Sequence, residues 1–209
     1  MELTLFGIAY PVTSLGPGER VALWVAGCSK RCPGCITPQL LTARSGHVVS
    51  VDVLLSRLLA LPAALHGVTI SGGEPTDQAP AIAELAKKLR RRRSHWTFIS
   101  YSGYTLAEVR NDARRSTILE AVDVLIDGPF AQRVAPTHPL AGSGNQVVQA
   151  LTPRGAVLRD EMRRGNGTAF NLGVGATSDV LIGVSSIEQR RAVHRRLGLT
   201  KRPALSEPL

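Results

Sequence analysis

Two hydrophobic periods alternate along this chain. Short continuous apolar runs at 21–26, 67–71, 96–101 and 122–127 read as buried strands, and residues 2–9 read as a strand or hairpin arm. Between them apolar residues recur at helical spacing. Val51, Leu54, Leu55, Leu58 and Leu59 form one face behind the cap Ser50, and Ile82, Leu85, Ala86 and Leu89 form another. Thr105-x-x-Glu108 is a capping box that opens a third helix. This alternation predicts an α/β fold with a parallel sheet and helices outside it. Residues 131–145 break the rhythm, with Pro136, Pro139 and no helical period. A parallel crossover needs a dozen or more residues, usually helical. Strand 146–151 is therefore expected to run antiparallel to its predecessor, which keeps Asn145 and Gln146 at the same end of the sheet.

The last quarter reads less clearly. Residues 152–168 look like a loop or mobile arm, and 169–174 and 179–184 can pair as a hairpin around 175–178. Ser185-x-x-Glu188 opens a last helix expected to stop at Gly198, and a loose tail follows. The expected division is a core over 1–151 and a short α+β extension over 152–209 packed on it, within one domain.

Composition narrows the class. The 209 residues are 44% apolar but only 4% aromatic, so the core is built from Leu, Val, Ile and Ala. Pro62 breaks the longest apolar stretch, which leaves no membrane span, and Met1-Glu2-Leu3-Thr4 is no signal peptide. Cysteines gathered in one metal-type motif fit a reducing compartment, so a cytoplasmic protein is expected. The net charge is +9, of which ten Lys/Arg against five Asp/Glu place +5 in residues 151–209. Arg90 to Arg93 follow Lys87 and Lys88 at a helix end. They read either as favourable placement at the negative helix terminus or as a docking patch. With no aromatic-rich surface or nucleic-acid motif, an acidic protein ranks above nucleic acid as its partner.

The chemistry concentrates in Cys28, Cys32 and Cys35, the chain's only cysteines, spaced C-x3-C-x2-C straight after an apolar run. Iron–sulfur clusters are ordinarily held by four thiolates, so three leave one iron open. A structural zinc would need a fourth ligand, yet the nearest histidine onward is His47 and no second histidine follows at finger spacing. One disulfide would leave a thiol over. Ser71-Gly72-Gly73-Glu74-Pro75 also follows an apolar run. Its glycines allow close backbone approach, and its carboxylate and carbonyls can accept from an ammonium group. Ser102-Gly103 and Asp127-Gly128 end two further strands. In parallel barrels active sites form at the C-terminal strand ends, where these motifs converge.

Together these residues resemble the radical S-adenosylmethionine superfamily, and within it the small glycyl-radical activating enzymes of the anaerobic ribonucleotide reductase type. The resemblance runs in order over residues 1–150. It includes Gly16-Pro17-Gly18-Glu19-Arg20, Trp24, Gly27, the Cys-Pro-Gly-Cys ending, Ser71 to Pro75, Tyr101 to Tyr104, Val124 to Phe130 and Gly142 to Val148. Three features depart from it: Trp24 stands where phenylalanine is usual, Thr37 stands where asparagine is usual, and residues 151–209 extend past the pattern.

The resemblance implies a partial (β/α)6 TIM-like barrel and one 4Fe-4S cluster on Cys28, Cys32 and Cys35. It implies S-adenosylmethionine bound at the open iron, with contacts from Gly34, Ser71, Gly72, Gly73, Glu74, Tyr101, Ser102, Asp127 and Asn145. Glu74 and the backbone of 71–73 would hold its amino group, Ser102 and Tyr101 would lie near its ribose or methionine, and Asp127 at its methionine end or the substrate. No catalytic residue beyond the cluster ligands is assigned. One electron from a flavodoxin or ferredoxin would cleave the sulfonium, and the 5′-deoxyadenosyl radical would take hydrogen from a partner protein, a glycyl radical enzyme. Lys30 and Arg31 would raise the cluster potential or stand as solvated charge. Another peptide or metabolite substrate, or a non-catalytic iron–sulfur module, are the alternatives.

Overall fold

The computed structural model describes residues 1–165, 170–174, 179–184 and 187–196. Seven strands form one sheet: β1 (Glu2–Val12), β2 (Arg20–Val25), β3 (His47–Ser50), β4 (Gly67–Gly72), β5 (Thr97–Ser102), β6 (Val124–Asp127) and β7 (Val147–Ala150). Their order is β3-β1-β2-β4-β5-β6-β7. The central β2, β4, β5 and β6 run parallel. Antiparallel pairs flank them on both sides. The α/β class and the parallel centre agree with the apolar runs. The sixfold repeat is not completed among the described residues: four strands are parallel, and no barrel closes.

The antiparallel strand after the proline-rich loop is present. β7 places Val147 opposite Asp127, so Asn145 and Gln146 stay at the end of the sheet where β6 finishes. β3 carried no readable signal. It is four residues long at the sheet edge, with His47 and Val48 exposed, and shows no alternation strong enough to mark it.

One face of the sheet is covered by α1 (Val51–Leu59) and α2 (Ala79–Arg92). Their buried Val51, Leu54, Leu58, Ile82, Leu85 and Leu89 pack with Leu23, Val25, Val68, Ile70 and Phe98. The Ser50 hydroxyl accepts from the Val53 amide, as a cap should. The other face carries the alternate residues: Trp24, Ser71, Tyr101, Ile126 and Val148 stand in register across the strands.

The expected loop at 152–168 is instead mostly helix, α4 (Pro153–Arg164). Thr152 caps it by accepting from the Gly155 amide, and Pro153 sits at its first turn. Gly155 lets the helix touch the sheet, since a Cβ there would lie 1.9 Å from the Asp123 carbonyl oxygen. Leu158 and Met162 then pack on Ile99, Val124 and Ile126. β8 (Asn171–Val174) and β9 (Asp179–Ile182) form the expected antiparallel pair, followed by α5 (Ile187–Arg196). The turn at 175–178, the cap at Ser185 and the stop at Gly198 lie outside the described residues. Asn171 accepts from the Thr13 and Ser14 amides at 2.9 Å each, and Ile182 packs beside Trp24 and Leu40.

The basic helix end is partly structural. Arg90 pairs with buried Asp123 at 2.9 Å, Arg93 donates to the Leu59 and Leu61 carbonyls, and Lys88 bridges Asp52 and Glu84. No helix among the described residues is long and apolar enough to cross a membrane.

Candidate metal and cofactor site

Four loops leave the C-terminal ends of the parallel strands and meet. The cysteine loop follows β2 and sits on the glycine turn after β4. The Gly73 amide donates to the Val25 carbonyl at 2.7 Å, and the Glu74 amide to the Gly27 carbonyl at 2.8 Å. Only glycine fits at position 73, because a Cβ there would lie 2.1 Å from the Gly27 oxygen. Gly72 adopts φ +109, a region that side chains disfavour. The same loop is held from behind by 3-10 turn Pro38–Leu40, where Leu40 accepts from the Gly27 amide at 2.9 Å.

All three cysteines are free thiols of intermediate exposure on one loop. The Arg31 amide points at Cys28 Sγ over 3.5 Å, and Arg31 takes the left-handed φ of 47 to aim it there. Burial pushes the Cys28 thiol up, and the backbone donors at Arg31 and Lys30 pull against it. Cys35 Sγ lies 3.8 Å from the Thr37 hydroxyl, which donates to the Gly72 carbonyl at 3.4 Å. Gly34 has φ +73, and the Gln132 side chain from the loop after β6 lies against it.

The remaining expected contacts are brought to this end, but most already have protein partners. Glu74 is 1% exposed. Its Oε1 accepts from the Thr76 amide, the Thr76 hydroxyl and the Ser102 hydroxyl, and its Oε2 from the Gly103 amide. Burial pushes its carboxyl up while these donors pull it down, with a net rise. Ser102 also accepts from the Tyr104 amide. The Tyr101 hydroxyl donates to the Leu140 carbonyl at 2.9 Å, and burial raises its pKa. Asn145 donates to the Pro129 carbonyl at 2.6 Å. Of these expected contacts, two keep a polar group without a protein partner. The Ser71 hydroxyl makes no hydrogen bond, and Asp127 Oδ1 is buried without one, although Asp127 Oδ2 accepts from the Leu106 amide.

A family model described as a 4Fe-4S single cluster domain matches residues 14–149. The chain belongs to that family. It is 33% identical over 150 residues to the anaerobic ribonucleoside-triphosphate reductase-activating protein of Vibrio cholerae, covering 68% of this chain and 96% of that protein. The same protein of Escherichia coli K12 is 32% identical over 149 residues, with 68% and 96% covered. That of Enterobacteria phage T4 is 28% identical over 140 residues, with 66% and 87% covered. The activating-protein type indicated by the motifs is thereby established.

The donor set fits a 4Fe-4S single cluster domain. Soft thiolates select iron–sulfur clusters, zinc or copper(I). Among the described residues, no three Cys, His, Asp or Glu side chains are grouped to hold one metal ion. Three thiolates carried on one loop are the donor type that iron–sulfur clusters take. The Arg31 amide aimed at Cys28 is a hydrogen bond to sulfur of the kind that tunes such clusters, and Gly34 supplies the left-handed turn between Cys32 and Cys35. In this family member the Gly-Pro-Gly-x-Arg motif lies away from the site, at the opposite ends of the strands. Arg20 is fully buried and donates to Thr69, Pro17, Thr97 and Val68, pinning the starts of β2, β4 and β5. Burial lowers its pKa to about 9.

Asp77 and Arg115, which no motif singled out, join Tyr104 and Glu108 around Ser29 and Lys30. Tyr104 was visible as part of a motif and Glu108 as a helix cap. Neither showed that it reaches the cysteine loop.

Proposed function

We propose that this chain is a radical S-adenosylmethionine activase that installs a glycyl radical on an anaerobic ribonucleotide reductase-type partner. The observation that carries this reading is the seating of the cysteine loop on the Gly72-Gly73-Glu74 turn through two backbone hydrogen bonds of 2.7 and 2.8 Å. This junction seats the loop that carries the three cysteines against a glycine-lined turn. Cys28, Cys32 and Cys35 would hold the cluster. When bound, cluster and S-adenosylmethionine together would supply one-electron cleavage of the sulfonium and hydrogen abstraction from the partner's glycine.

The chain's own groups divide into contacts and supports. Ser71 and Asp127 Oδ1, both without protein partners, would face the cofactor, with the backbone of Gly72 and Gly73 and the turn at Gly34. Glu74, Tyr101, Ser102 and Asn145 would act mainly by holding their loops, since their polar atoms already pair within the protein. Tyr101 and Ile126, on the second face, help keep water from the interior. We read the open sheet with its three parallel crossovers as the partial barrel of this superfamily, residues 1–151 as its core and 152–209 as an extension. A flavodoxin or ferredoxin would deliver the electron.

A second reading, another peptide or metabolite as substrate, is favoured by Thr37 beside Cys35 and by the extension on the second face. The test is anaerobic reconstitution and reduction with S-adenosylmethionine, with and without a purified anaerobic reductase. The activase reading expects 5′-deoxyadenosine and a glycyl radical signal on the reductase. 5′-Deoxyadenosine with no such signal favours the second reading. No 5′-deoxyadenosine from a reduced cluster overturns both.

A further inference from the structure

The cysteine loop is gripped on its Ser29–Lys30 side by groups from four other places in the chain. The Ser29 amide donates to Asp77 Oδ2 at 2.8 Å and its hydroxyl to Asp77 Oδ1 at 2.7 Å. That hydroxyl also lies 2.7 Å from the Tyr104 hydroxyl. Arg115 reaches back to Asp77 at 3.1 Å and to the Tyr104 hydroxyl at 3.3 Å, and pairs with Asp112 as well. Lys30 pairs with Glu108 at 2.9 Å. The Tyr104 ring is flanked by two cations, Lys30 at 4.5 Å and Arg115 at 4.2 Å from its centre.

None of these groups is a metal-ligating cysteine, and none is needed to close the sheet. Their shared target is the residue pair between Cys28 and Arg31. Asp77 belongs to the short turn after Glu74, Tyr104 follows β5, Glu108 lies on α3 (Leu106–Asn111), and Arg115 opens the next turn. Gly103 packs closely enough that a Cβ there would lie 3.0 Å from the Lys30 side chain. Charge is nearly balanced: Lys30 and Arg115 face Asp77, Glu108 and Asp112. Lys30 is thereby committed to an acid and a ring, which leaves Arg31 as the exposed cation of the loop. Two interacting groups per side chain fix orientation as well as distance, as partners outside the ligand set do around metal sites.

We propose that Asp77, Tyr104 and Arg115 form a clasp that presets the cysteine loop before any metal enters, and so are positioning residues for the cluster. The proposal rests on the cluster reading for its consequence, but the presetting itself is a property of the metal-free chain. With the clasp closed, Cys28 and the Arg31 amide stand where a thiolate is held. With it open, the loop must be ordered by the incoming cluster, and the cluster is kept less tightly. Losing partners outside the ligand set typically weakens metal retention by about 10- to 100-fold.

The test compares wild type with Ser29→Ala, Asp77→Asn and Tyr104→Phe. In the metal-free proteins, amide hydrogen exchange is followed at residues 28–35 and, as a control, in β4 and α2. Ser29→Ala and Asp77→Asn are expected to speed exchange in the loop by about tenfold or more while the control amides and the melting temperature stay near wild type. In reconstituted proteins, loss of the iron–sulfur absorbance to an iron chelator should be about 10- to 100-fold faster, and the reduction potential should move. Tyr104→Phe keeps the ring between its cations and loses only the hydroxyl contacts, so it should fall between wild type and Asp77→Asn. Loop exchange equal in wild type and all three variants overturns the clasp, as does an unchanged chelator half-life and potential in all of them. A wild type that takes up no iron–sulfur cluster overturns the cluster reading, and the exchange measurement alone then decides the clasp.

Discussion

The Ser102 hydroxyl donates to the Glu74 carboxylate over 3.0 Å, joining the loop after β5 to the turn after β4. Glu74 also takes the Gly103 and Thr76 amides in a buried setting. Glu74→Ala leaves these donors without an acceptor, at about 1–3 kcal/mol for a stranded buried group. We expect a loss of about 2–4 kcal/mol in urea unfolding, against about 1 kcal/mol for Ser102→Ala. The double variant should cost less than the sum, because both changes break the same bond. Strict additivity would show that the two residues do not share a bond.

Acid should reveal the Lys30–Glu108 link. The Thr105 amide, Lys30 and the Thr105 hydroxyl hold the Glu108 carboxyl down at about 2, from an ordinary 4.5. A depressed folded value means that stabilisation is present above the unfolded value and is lost as pH falls through the folded one. Wild type should therefore exceed Glu108→Gln in melting temperature at pH 6, and the gap should close between about pH 4.5 and 2. A constant gap across that range would refute the assignment.

Asp123 ties three elements together inside the sheet. Its carboxylate accepts from the Phe98 amide, from Arg90 and from the Thr152 hydroxyl, while its backbone oxygen accepts from the Leu151 amide. Asp123→Ala strands the buried Phe98 amide while Arg90, 30% exposed, can turn to water, so it should cost about 1–3 kcal/mol. Chemical denaturation measures it, and a cost below 1 kcal/mol would contradict the geometry.

Two glycines give opposite expectations. At Gly73 an added Cβ would lie 2.1 Å from a backbone oxygen, so Gly73→Ala must part the cysteine loop from the turn. The variant should melt well below wild type and fail to retain iron. At Gly7, on β1, no atom lies within 4 Å of the added carbon. There Gly7→Ala should be neutral or stabilise by about 0.5 kcal/mol, since glycine weakens a strand interior.

Much of the fold was legible because its signals are local. Ser50, the Thr105–Glu108 box and the two apolar helix faces each mark an element within a few residues. The prolines at 136 and 139 correctly implied the reversed strand. α4 was obscured because Pro153 and Gly155 look like loop residues, whereas Thr152-Pro153 starts a helix and Gly155 makes room for Asp123. The site was legible as a set of strand ends. Sequence could not show that Glu74, Tyr101, Ser102 and Asn145 spend their polar atoms on one another's loops. Nor could it show Ser29 meeting Tyr104 across 75 positions, or Arg115 meeting Asp77 across 38, since no spacing rule links residues on different strands' loops.

Ile182 shares an apolar cluster with Leu40 and Trp24, and the Leu40 carbonyl accepts the amide of Gly27, one residue before Cys28. The late hairpin thus shares a core with the turn that holds the start of the cysteine loop. Shortening this protein to the length of its bacterial relatives would do more than trim an appendage: it would strip the backing from the shelf on which the metal loop stands.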